Sequence, residues 1–233
     1  MRQLVLAVLA ACGGGDQPAP SIDSPPPPID MPPPDMNTSS CVPATVFLVT
    51  DGGTYTSGSD DSRTNKSNVV PAGGVTFDPY TAPSLADART CIAQRLQPFQ
   101  ITVAATDPGT ADHVEIVLSP KDASEVGLNV AVISVATVTS CGQYLPNAVS
   151  VVWPARGNDV AADTCDLVVQ TLGTIAGLDY TSTCADAMAF NPLTAGCGGA
   201  FTNAAQPCQN GNCRCGGTTQ NSFQSMISAY CAR

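Results

Sequence analysis

The chain has 233 residues, 43% of them hydrophobic, which suffices for one compact domain of about 150 to 200 residues with a tail. Only 12% of residues are charged, and 19 acidic against 9 basic side chains leave a net charge of −10, so a nucleic-acid surface is excluded: nothing could neutralise a row of phosphates. A single histidine, His113, excludes any site that needs two or three imidazoles from one chain.

Met1-Arg2-Gln3 gives a short basic start, residues 4–10 (LVLAVLA) form an apolar run too short to span a bilayer as a helix, and Leu9-Ala10-Ala11-Cys12 follows. That ending resembles the bacterial lipobox, in which cleavage precedes a cysteine that is then acylated. Residues 1–11 are expected to be a lipoprotein signal peptide and Cys12 the lipidation site. Nine prolines among residues 13–40 keep that stretch from burying apolar area, so residues 12–40 read as a disordered tether extending at about 3.1 Å per residue. Eleven cysteines point to an oxidising compartment outside the cytoplasm. With Cys12 lipidated, Cys41, Cys91, Cys141, Cys165, Cys184, Cys197, Cys208, Cys213, Cys215 and Cys231 form an even set for five bridges, whose pairing is not readable. The expected place is the bacterial cell envelope, lipid-anchored to the outer membrane on its periplasmic or cell-surface side.

Residues 46–50 (VFLVT) read as a buried strand closed by the turn Asp51-Gly52-Gly53. A long polar loop runs to about Pro83. Ser84 with Asp87 opens a helix whose Leu85, Ala88, Ile92 and Leu96 fall at spacings of three and four, and which ends near Pro98. Residues 101–106, 113–119, 129–136 and 148–153 read as four strands; in the second, alternation puts Val114, Ile116 and Leu118 on one face and His113 and Glu115 on the other, with His113 facing solvent. Residues 160–176 form the second main helix, with Gly177 placed to end it. A cysteine-dense tail follows, closed by a short helix over 223–230.

Residues 170–180 (QTLGTIAGLDY) resemble the zinc helix of the metzincin metalloproteases, His-Glu-x-x-His-x-x-Gly-x-x-His, with every reactive residue replaced. Gly177-Leu178-Asp179 fixes the register. Residues 184–191 (CADAMAFN) resemble the Met-turn that floors the zinc site, and the order strand, helix, strands, zinc helix is that of the metzincin upper subdomain. Residues 213–222 (CRCGGTTQNS) are similar to a C-terminal segment of cysteine-rich myxobacterial-type lipoproteins with metzincin-like domains. The resemblance implies an α+β fold: a mixed five-stranded sheet with two main helices over 41–180, then a Met-turn-like loop around Met188 and a disulfide-rich subdomain over 181–233.

At the matching positions stand Gln170, Thr174 and Tyr180 for the zinc ligands and Thr171 for the general base. An amide, a hydroxyl and a phenol are poor zinc ligands, so no metal, no cofactor and no catalytic residue are expected. The function implied is a catalytically degenerate, membrane-anchored pseudoprotease, a binding or structural module of the envelope, with an extended peptide or envelope protein along the edge strand over 129–136 as its partner. The alternative is an active metallopeptidase using non-standard ligands. Three other clusters carry groups that could act. Asp107, Asp112, His113 and Glu115 could make a metal patch but read as a solvated strand edge; residues 60–65 (DDSRTN) could hold calcium but read as a surface turn; Cys213 and Cys215 could be a dithiol but read as bridge halves.

Overall fold

The structure, a computed structural model, describes residues 41–154 and 160–233. The signal peptide, the tether and Cys12 lie outside the described residues.

In chain order the strands are β1 (Ala44–Val49), β2 (Gly53–Ser57), β3 (Lys66–Ser67) and β4 (Val75–Phe77), followed by helix α1 (Leu85–Leu96). Then come β5 (Ile101–Ala104), β6 (Val114–Leu118), β7 (Ser134–Val135), β8 (Val149–Val152) and helix α2 (Ala161–Ile175). The C-terminal part carries β9 (Gln206–Pro207), β10 (Thr219–Gln220) and helix α3 (Ser222–Tyr230). The main sheet is five-stranded, in the order β5-β1-β6-β8-β7, with all pairs parallel except β7 on β8. The fold is therefore α+β with a mixed sheet.

Both faces of that sheet are covered. On one, α1 and α2 pack over Ala44, Val46, Leu48, Ile116 and Leu118, and the Cys91–Cys165 bridge staples the two helices together. Residues 181–233 close onto the same core through Met188, Phe201, Met226 and Tyr230. On the other face lies the stretch expected to be a polar loop. It forms a second sheet, β3-β2-β4, which buries Tyr55, Val69, Val70 and Phe77 against Val117, Val149 and Val151. At about 1.5 to 3 kcal/mol for each large apolar side chain taken from water, this layer is an integral part of the core.

That second layer corrects the reading of β6. His113 and Glu115 are only 1% and 5% exposed, because β6 runs between β1 and β8 and its second face sits under Tyr55. The edge strand is also shorter than expected. Asn129 draws residues 129–132 into a turn, its Oδ1 accepting from Ala131 N at 2.8 Å and its carbonyl from Val132 N at 3.0 Å, so pairing begins only at Ser134. The second main helix ends where Gly177 predicts. Gly177 N donates to Thr174 O and Leu178 N to Gly173 O, both at 3.0 Å, with Gly177 at φ +83°, a terminator that satisfies the last carbonyls of the helix. A Cβ on Gly177 would stand 2.6 Å from Ser140 O, so no other residue fits that approach.

Candidate functional site

Residues 164–175 of α2 are buried on every side, and a helix buried all round must find internal partners for its polar side chains. Thr171 Oγ1 donates to Leu167 O at 2.7 Å and Thr174 Oγ1 to Gln170 O at 3.1 Å, each one turn back along the helix. Gln170 Nε2 donates outward to Ala189 O at 2.5 Å. The helix is thereby tied to the residue next to Met188.

Gly177 turns the chain back so that Tyr180 comes beside Thr174. Burial pushes the Tyr180 phenol above its ordinary pKa, opposed by its hydrogen bond with Thr174 and by the Arg214 guanidinium. The Tyr180 ring meets Phe190 edge to face at 6.0 Å. Met188 lies under the helix: a Cβ built on Gly173 would overlap Met188 Sδ, so the glycine makes room for the methionine. The structure thus brings Gln170, Thr174, Tyr180 and Met188 to one place, while Thr171 is spent on its own helix.

Two anchors of this site have little signature in the sequence. Asp186, fully buried, accepts from Met188 N at 2.7 Å, Thr202 N at 3.1 Å and Ser222 Oγ at 2.7 Å, which fixes the loop and docks α3 beneath it. An Asp two residues before the turn it caps is a local signal, but its bonds to Thr202 and Ser222 leave no trace in sequence. Gln220 clamps the backbone of Asp179, accepting from its N at 3.0 Å and donating to its O at 2.6 Å. The Asp179 carboxylate in turn takes the Arg214 backbone N–H and pairs with the Arg214 guanidinium.

Donor chemistry answers whether zinc fits here. The three positions that the resemblance aligns with metal ligands carry an amide, a hydroxyl and a phenol, and the first two donate hydrogen bonds to backbone carbonyls; zinc is held by imidazole, thiolate or carboxylate. The residues do not fit the ion. Among the described residues no group of three or more His, Cys, Asp and Glu could hold a metal.

The side chains of the other clusters are already engaged. His113 Nδ1 lies 2.8 Å from Ala111 O, Glu115 takes the Tyr55 hydroxyl at 2.7 Å, and Asp107 Oδ1 accepts from Gly109 N at 2.7 Å. Asp61 and Asp112 both pair with Arg63, at 2.8 and 3.1 Å, so a cation already occupies the mouth of the oxygen-rich turn. Cys213 and Cys215 belong to different bridges, Cys208–Cys213 and Cys141–Cys215; Cys41–Cys231 and Cys184–Cys197 complete the five. Compared with known proteins, the chain matches no family model, no curated protein and no solved structure.

Proposed function

We propose that the chain is a lipoprotein of the bacterial cell envelope, held by a lipid on Cys12, whose folded part is a degenerate metzincin-like domain. It serves as a binding or structural module and not as a protease. The observation that carries this reading is the use made of Gln170 and Thr174. They stand one helical turn apart, at the positions that resemble metal ligands, and each donates to a backbone carbonyl. Gln170 fastens the helix to the loop beneath it and Thr174 is spent within the helix; with Thr171 and Tyr180 they stand where the three ligands and the base that water activation needs would be.

Further support comes from the sheet order with its single antiparallel edge strand, from the Gly177 terminator and from Met188 lodged against Gly173. The partner is an extended peptide or envelope protein laid along β7, the last strand on that side of the sheet. Bound zinc and peptide cleavage, measured on protein extracted from membranes, test the reading. We expect neither, and we expect the chain to leave the membrane only with detergent, with Cys12→Ala releasing it. One zinc per chain with chelator-sensitive cleavage would overturn the pseudoprotease reading, and release of the unaltered chain by salt alone would overturn the anchor.

A further inference from the structure

Beside the loop that carries Met188, a depression of about 250 Å³ opens to solvent. At roughly 30 Å³ per water it has room for about eight waters, the bulk of a single small ring with its substituents. No Asp, Glu, Lys, Arg or His lines it; the wall is made of hydroxyls, two side-chain amides, the Phe190 ring and the Cys184–Cys197 bridge. With no opposite charge to offset desolvation, an ionic ligand gains nothing there.

The unspent polar groups are specific. Ser182 and Thr183 on the same wall are bonded to Pro207 O and Gln206 Oε1. The side chains of Asn191, Thr194 and Gln209 make no hydrogen bond to any described residue, and all three line the depression. An amide presents a donor and an acceptor side by side, which matches neighbouring hydroxyls that both give and accept. Phe190 adds an apolar surface, its ring held edge to face by Tyr180 with the planes at 77°, suited to the C–H side of a sugar ring.

The wall is also preformed. Cys197 N donates to Thr194 O at 2.8 Å, Thr194 N to Asn191 O at 3.2 Å, and Thr181 N to Met188 O at 2.7 Å, while the disulfide closes the 184–197 loop. Little ordering would accompany binding, which is how a small open site reaches useful affinity. A peptide, by contrast, is recognised by a free strand edge or a row of apolar pockets; here Thr181 is already bridged to Ala189 on one side and Cys208 on the other, and Phe190 is the one large apolar side chain among the lining residues. We propose that it binds one neutral saccharide unit through Asn191, Thr194 and Gln209, with Phe190 as the apolar residue beside them. The inference does not rest on the metzincin-like reading.

The test uses the full chain in a detergent without a sugar headgroup, titrated with glucose, galactose, mannose and N-acetylglucosamine and followed by calorimetry or saturation-transfer NMR. At least one should bind in the millimolar range, and Asn191→Ala and Gln209→Ala should each weaken it by about three- to tenfold, the worth of one hydrogen bond. Gln209 is exposed and Asn191 half-buried, so nearly unchanged thermal melts are expected; should one variant fold poorly, the exposed Thr194→Ala supplies the second measurement. No saturation by any of the four sugars at about 50 mM, or binding indifferent to all three substitutions, would overturn the proposal. Binding of a Gly-Phe-Ala tripeptide in place of every sugar, with the same sensitivity to substitution, would also overturn it.

Discussion

Glu115 lends itself to a direct measurement. It sits on the central strand β6 with 5% of its surface exposed, one oxygen accepting from Tyr55 OH at 2.7 Å and the other without a partner among the described residues. Burial pushes its carboxyl from an ordinary 4.5 up to about 7; the Tyr55 hydrogen bond opposes the shift and Asp107 adds to it. Between those two values the folded chain keeps a proton that the unfolded chain has released. Stability from this group is therefore fully present below pH 4.5, falls as pH rises toward 7, and is level above that. At 1.36 kcal/mol per pH unit the total fall is about 3 kcal/mol. Glu115→Gln removes the charge and keeps an oxygen to accept from Tyr55, and its NH2 takes the place of the equally unpartnered protonated oxygen. The variant should match the parent in denaturant melts at pH 4.5 and exceed it by about 2 to 3 kcal/mol at pH 8, with disulfides intact. A stability difference that does not change between pH 4.5 and 8 would refute the argument, because it would mean that the carboxyl titrates alike in both states.

Other perturbations probe the same framework. Gly177→Ala forces an L side chain to φ +83° with its Cβ 2.6 Å from Ser140 O, whereas Gly109, at φ +63°, has nothing within 4 Å; Gly177→Ala should lower Tm by about 5 to 10 °C and Gly109→Ala by no more than about 4 °C in scanning calorimetry. Chain-entropy arithmetic ranks the bridges by span: Cys41 and Cys231 are 190 positions apart in sequence and Cys208 and Cys213 only 5, so replacing both cysteines of each pair by Ser should cost about 5 and about 2 kcal/mol in chemical denaturation. Equal costs would show that the denatured chain is already held compact by other means. Combining Gln170→His, Thr171→Glu, Thr174→His and Tyr180→His should create zinc affinity measurable with a chromophoric chelator, and a folded variant that ignores zinc counts against the metzincin-like geometry.

Legibility in the sequence followed the range of the interactions involved. Helix α2 and its Gly177 stop were readable because spacing of three and four, and a glycine past the last turn, are decided within a dozen residues. The apolar half of β6, Val114, Ile116 and Leu118, was readable for the same reason. Its other half was not, since the group that covers Glu115 is Tyr55, 60 residues earlier, in a stretch whose β-forming residues are diluted by Ser, Asp and Gly. In the candidate site the one-turn spacing of Gln170 and Thr174 could be read directly. The clamps on it could not: Gln220 acts on the backbone of Asp179 from 41 residues away, and a backbone partner has no side-chain signature. Ten cysteines announce five bridges by parity, but Cys141 meets Cys215 and not its close neighbour Cys213 because only the folded tail decides which sulfur arrives.

Cys41 stands three residues before β1, and its bridge to Cys231 lies beside the hydrogen bonds from Val42 N to Ala229 O and from Gln100 N to Tyr230 O. A pull delivered along the chain from residues 12–40 enters the domain at this point. Without the bridge it would load β1 end on and shear a strand that is paired on both sides, to β5 and β6. With it, part of the force passes through a covalent bond into α3, whose Met226 and Tyr230 are seated in the core. Were the domain anchored as proposed, the Cys41–Cys231 bridge would act as a strain relief, as on a cable, sparing β1 whenever the domain is dragged.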